Sequence, residues 1–97
     1  MLFRSNLGGA KKSAYEVQAL AADWVGGSAP YTNTITVTGL LATDNISVGL
    51  SANTSATQYV AFANGEILCT AQAADQITMT AYGTKPTVDI NLTVFAF

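Results

Sequence analysis

Between Tyr31 and Thr38 every second residue is threonine: Thr32, Thr34, Thr36 and Thr38 alternate with Tyr31, Asn33, Ile35 and Val37. Successive side chains of an extended chain point to opposite faces, so the run reads as a strand with one solvated threonine face and one buried face. Just upstream, Trp24 precedes the loop GGSAP, and a single large ring there can plug the core that the strand covers.

The rest of the chain repeats that period in shorter pieces. Tyr15, Val17 and Ala19 share one parity, which gives a first strand, although the alanines nearby keep a helix open. Ile46, Val48 and Leu50 mark another strand within Asn45–Ser51, which should pair with the threonine strand as an antiparallel hairpin. Ala56, Tyr59, Val60 and Ala63 recur at helical spacing, so a short helix or turn is expected near residues 55–63. Thr54 or Ser55 would cap its start and Asn64-Gly65 would supply a left-handed stop. Strand alternation then returns at Ile67, Cys69 and Ala71, although Leu68 blurs the buried face. It continues at Ile77, Met79 and Ala81, and at Val88, Ile90, Leu92, Val94 and Ala96. Pro86 cannot donate to a ladder and belongs to the loop before the last strand. About six short strands separated by turn signals argue for an all-β fold, an antiparallel two-sheet β-sandwich, immunoglobulin-like in outline, with a barrel as the alternative.

Ninety-seven residues suffice for one domain, burying roughly 60–65% of the surface its unfolded chain exposes. Only 10% of residues are charged, so the surface must be built largely of Thr, Ser, Asn, Gln, Ala and Gly, a composition suited to permanent association. The charges are also unevenly placed. Arg4, Lys11 and Lys12 give an N-terminal segment, residues 1–13, a charge of +3, whereas residues 14–97 carry Lys85 against six carboxylates, net −5. A basic arm of this kind can dock on an acidic neighbour, a second copy included. Phe3 and Leu7 would be its apolar anchors, with Arg4, Lys11 and Lys12 its charges; a disordered tail is the other reading. Three charges do not make a nucleic-acid interface, and no direct nucleic-acid partner is expected. No stretch approaches a membrane span and the first residues lack the apolar run of a signal peptide, so synthesis in the cytoplasm is expected.

The inventory of reactive groups is short. There is no histidine and one cysteine, which excludes Ser-His-Asp and Cys-His machinery, histidine-based metal sites and thiolate zinc clusters. Cys69 reads as a small buried hydrophobe within a strand. The carboxylates are scattered, Asp44-Asn45 reads as a turn pair, and Gly26-Gly27-Ser28 lacks the lysine of a phosphate loop. No enzymatic activity, cofactor or metal is expected.

Two surface features remain. If Val88 to Ala96 face inward, Asp89, Asn91, Thr93, Phe95 and Phe97 face outward, and two phenylalanines on a solvated face suggest an apolar contact between copies. A bend that folds both rings back is the alternative. Tyr82, on the threonine parity, is a candidate for surface recognition, with the threonine face as a glycan platform.

The chain opens with Trp24, then Pro30-Tyr31, Ile35, Val37 and Gly39, and finishes with Lys85-Pro86, Asp89-Ile90, Leu92 and Val94. These two patterns, W…PYxxxIxVxG and KPxxDIxLxV, resemble small β-sandwich domains of tailed-bacteriophage virion proteins of the head-fibre, capsid-decoration and tail-associated types, over residues 19–95. The resemblance implies a non-enzymatic structural role on the virion and a homo-oligomer, commonly a trimer. It also implies an N-terminal segment that attaches to the major capsid protein or another virion protein. It makes Trp24, Pro30, Tyr31, Gly39 and Pro86 scaffold positions. Alternatives are a glycan- or cell-surface-binding module and a tail or baseplate component.

Overall fold

The structure is a computed structural model and describes residues 13–97. Among these residues six strands, one helix and a 3-10 turn follow in order. They are β1 (Ser13–Ala19), the turn Ala21–Asp23, β2 (Tyr31–Thr36), β3 (Ile46–Leu50), α1 (Ala56–Gly65), β4 (Ile67–Ala73), β5 (Gln76–Ala81) and β6 (Ile90–Ala96). The strands form two three-stranded antiparallel sheets, β1-β6-β3 and β2-β5-β4. The all-β, two-sheet sandwich expected from the alternation is therefore the fold, and β1 is a strand.

The middle strands carry the core. Ile90, Leu92 and Val94 of β6 face Ile77, Met79 and Ala81 of β5, and all six are buried. All but Ile90, which pairs only with Ala19 of β1, are flanked by a strand on both sides, and the opposite sheet lies in front of them. Burial of each larger side chain contributes about 1.5–3 kcal/mol. Trp24 joins them, 4% exposed, as the plug its position suggested.

The expected hairpin between the threonine strand and Asn45–Ser51 does not form. β2 pairs with β5 and β3 pairs with β6, so the chain crosses from one sheet to the other between them. The crossing is held by the β4–β5 turn. Val37 N–H donates to the Asp75 carbonyl at 2.8 Å, Asp75 N–H donates to the Leu40 carbonyl at 2.8 Å, and Gly39 N–H donates to Asp75 Oδ1 at 2.8 Å. Val37 and Leu40 are buried along the way, so the connection is a structural segment and not a free loop.

Two local readings also change. In β4 a bulge between Cys69 and Ala71 places Ala71 opposite Thr78, on the outer face, whereas Ile67 and Cys69 point inward. Ala71 therefore leaves the stripe that strict alternation assigns it. Cys69 is half-buried rather than buried, and desolvation raises its thiol pKa. The helix starts as expected, with Ser55 in a capping box: Gln58 N–H donates to Ser55 Oγ and Ser55 N–H to Gln58 Oε1, both at 3.2 Å. Its left-handed stop, however, is Glu66 at φ 49°, not Gly65. Gly65 is needed for another reason: a Cβ there would lie 2.9 Å from Ile67 Cγ1.

Candidate functional site

Register places the side chains of the outer face of sheet β1-β6-β3 in rows. Ala14, Phe95 and Ser47 form the first row, and Glu16, Thr93 and Gly49 the second. Gln18 and Asn91 begin the third, which Ser51 completes through its N–H bond to the Asn91 carbonyl at 3.0 Å. Every neighbour of Phe95 in its row is small, so its ring stands in solvent at 47% exposure.

Glu16 lies across the second row. Thr93 Oγ1 donates to its Oε2 at 2.7 Å and Ser51 Oγ donates to its Oε1 at 2.7 Å. These two hydroxyls belong to buried residues, and their bonds, Ser51 first, hold the exposed carboxyl below its usual pKa. The carboxylate is thus fixed in direction while its remaining lone pairs face outward. Beside it, Gln18 Nε2 donates to Asn91 Oδ1 at 2.7 Å and Asn91 Nδ2 donates to Asn53 Oδ1 at 3.3 Å. Glu16, Val17, Gln18, Asn53 and Asn91 line a shallow depression of about 400 Å³. Gly49, opposite Thr93 in the second row, leaves open space beside it, since a Cβ built there meets nothing within 4 Å.

The other sheet presents the threonine face. Its rows are Thr32, Thr80 and Leu68, then Thr34, Thr78 and Ala71, then Thr36, Gln76 and Ala73. Thr70 and Thr80 hydroxyls bond to each other at 2.6 Å, so part of this face is satisfied internally. Tyr82 is 50% exposed, as its parity suggested, and shares a depression of about 310 Å³ with Phe62, Ala63, Glu66, Ile67 and Leu68. Exposed Leu68 lies at its side. On α1, Tyr59 and Val60 are also exposed.

Phe97 continues the outward parity of Phe95 and is 52% exposed, its N–H bonded to the Asn45 carbonyl at 2.9 Å. Neither ring folds back into the core. Phe3, Arg4, Leu7, Lys11 and Lys12 lie outside the described residues. Among the described residues no group of three His, Cys, Asp or Glu side chains is placed to hold a metal ion.

The Glu16 cluster is the part that sequence reading missed. Its members are 35 and 77 residues apart, and only the pairing of both outer strands with β6 brings them together. The one available signal was the outward parity of Asn91 and Thr93 on the last strand. Comparison with protein-family profiles, with curated proteins and with solved structures finds no match to this chain.

Proposed function

We propose that this chain is a non-enzymatic structural protein of a bacteriophage virion, a capsid-decoration or head-fibre protein that assembles with copies of itself and attaches through its basic N-terminal segment. The observation that carries the reading is the surface. Phe97 at one end of the sandwich, and Tyr59, Val60, Leu68 and Tyr82 near α1 at the other, stand in solvent on a body with a single base, Lys85. Exposed apolar groups on a surface with few charges suit permanent contacts between subunits.

The residues behind the bacteriophage resemblance support it as a framework. Trp24 and Pro86 are buried, Tyr31 is half-buried under Lys85 with Nζ 5.7 Å from the ring centroid, and Gly39 takes φ 97° in the sheet crossing. Each serves the scaffold and none needs a ligand to account for it. A trimer and attachment to the major capsid protein follow from the resemblance. The N-terminal charge of +3 against the −5 of the body gives the attachment an electrostatic basis.

The test is the copy number of this chain in purified virions, measured by quantitative mass spectrometry against the major capsid protein. A ratio of one copy to a few capsid subunits is expected. A low count would move the protein to the tail or baseplate, and absence from the particle would remove the virion role.

A further inference from the structure

We infer that the outer face of β1, β6 and β3 binds a neutral oligosaccharide, with Phe95 as the stacking ring and Glu16, Gln18, Asn91 and Asn53 as the hydrogen-bonding groups. This site is separate from the threonine face and Tyr82, and it does not depend on the virion role.

The chemistry of the face selects the ligand. A sugar ring offers an apolar C–H face and a rim of hydroxyls, each able to donate and accept. Phe95 supplies an aromatic surface with no bulky residue on either side of it in the row, and sugar C–H groups pack on such a face. In the next row a carboxylate, and in the row after it the amides, are locked by hydrogen bonds, so binding costs little rotamer entropy. The Gln18 carbonyl oxygen and the Asn53 amide nitrogen take no part in those bonds and offer one acceptor and one donor. Glu16 offers an acceptor stronger than either.

Length fits as well. Phe95 and Asn91 are four residues apart on β6, about 13 Å at strand rise. That is the span of a short run of pyranose rings laid over the strand, with the Gly49 hollow beneath the middle one.

Other occupants fit less well. An anionic ligand would meet Glu16 with no base among the described residues of the face, because Lys85 lies over Tyr31 elsewhere. A second copy packed flat on this face would bury two Glu16 carboxylates whose side-chain partners among the described residues are the Ser51 and Thr93 hydroxyls, which is costly. An apolar ligand would strand the amides.

The experiment is a titration of the full-length, isotope-labelled protein with maltohexaose, cellohexaose, chitohexaose and mannohexaose, followed by backbone amide chemical shifts. At least one sugar is expected to shift the amides of Gln18, Asn53, Asn91, Thr93 and Phe95 at millimolar concentration. Phe95→Ala should weaken that binding by about tenfold, the loss of one aromatic contact. Glu16→Gln should weaken it by about tenfold, the loss of one hydrogen bond to a charged group. Gly49→Leu, which fills open space without disturbing the core, should abolish it with an unchanged melting temperature. Absence of shifts with all four sugars overturns the inference, as do shifts confined to Tyr82 and the threonine strands. Shifts of this face that follow protein concentration without sugar overturn it in favour of self-association.

Discussion

Asp75 holds Gly39 from the far side of the β4–β5 turn: its carboxylate accepts the Gly39 N–H at 2.8 Å while its backbone, at φ 63°, bonds both Val37 and Leu40. One residue therefore clamps the crossing between the two sheets. Asp75→Ala loses the carboxylate and sets a β-carbon at positive φ without the local bonding that Asp provides. It should lower stability by about 1–3 kcal/mol in urea titration. Asp75→Asn keeps an acceptor and tolerates the same backbone, so it should cost less than half as much.

Gly83 sits where β5 leaves the sheet and runs against the end of α1. Its N–H bonds the Gly65 carbonyl at 2.8 Å, and a Cβ on it would collide with the Asn64 carbonyl oxygen. Gly83→Ala should destabilise the fold by about 1–3 kcal/mol, since backbone must shift to admit the methyl. Trp24 is the only tryptophan and is buried, so its emission shift on denaturation reports the midpoint directly.

Glu16 makes the protein acid-sensitive in a defined direction. Hydrogen bonds from Ser51 and Thr93 depress its pKa in the folded state. The unfolded chain therefore takes up the proton first as pH falls. The stabilisation is complete above the ordinary glutamate pKa and disappears as pH drops through the lowered folded value. Melting temperature measured across the acid range should fall more steeply in the wild-type protein than in Glu16→Gln.

Cys69 should react slowly. It is half-buried, its thiol pKa is raised by desolvation, and its Sγ donates to the Ala71 carbonyl at 3.6 Å. With less thiolate available, disulfide-exchange reagents at mildly alkaline pH should label it more slowly than free cysteine. Denaturant should restore the free rate. Labelling as fast as free cysteine would show that β4 opens readily.

If the chain has the proposed virion role, its attachment and its assembly should be separable. Deleting residues 1–12 leaves Ser13 and its pairing with Ala96 in place, so β1 keeps its full register on β6. The truncated protein should lose capsid binding in co-sedimentation. It should keep its oligomeric mass in light scattering, whereas Phe97→Asp should lower that mass while leaving capsid binding of the subunit intact.

Strand positions were legible because alternation is a local property: the parity of Ile35 and Val37, or of Leu92 and Val94, is visible without knowing a partner. Pairing was not. Nothing between Thr38 and Asn45 announces that Asp75 will redirect the chain, so the neighbouring strands looked like a hairpin. The bulge at Cys69 and the left-handed Glu66 were hidden for the same reason, each being imposed by contacts from another segment. Phe95, Phe97 and Tyr82 were found by parity alone. Glu16 escaped because a lone carboxylate becomes a site only when Thr93 and Ser51 arrive beside it.

β6, the middle strand of its sheet, comes last in sequence among the described strands, and it separates β1 from β3. Among the described residues, neither outer strand has a partner in that sheet until residues 90–96 have left the ribosome. The other sheet, whose β4 and β5 are joined by a tight turn, can begin to zip earlier. Sheet β1-β6-β3 must instead close contacts such as Ser13 with Ala96 across almost the whole chain. That topology makes its closure the slow event in folding, and chains interrupted before β6 would carry two open strand edges available to other nascent copies.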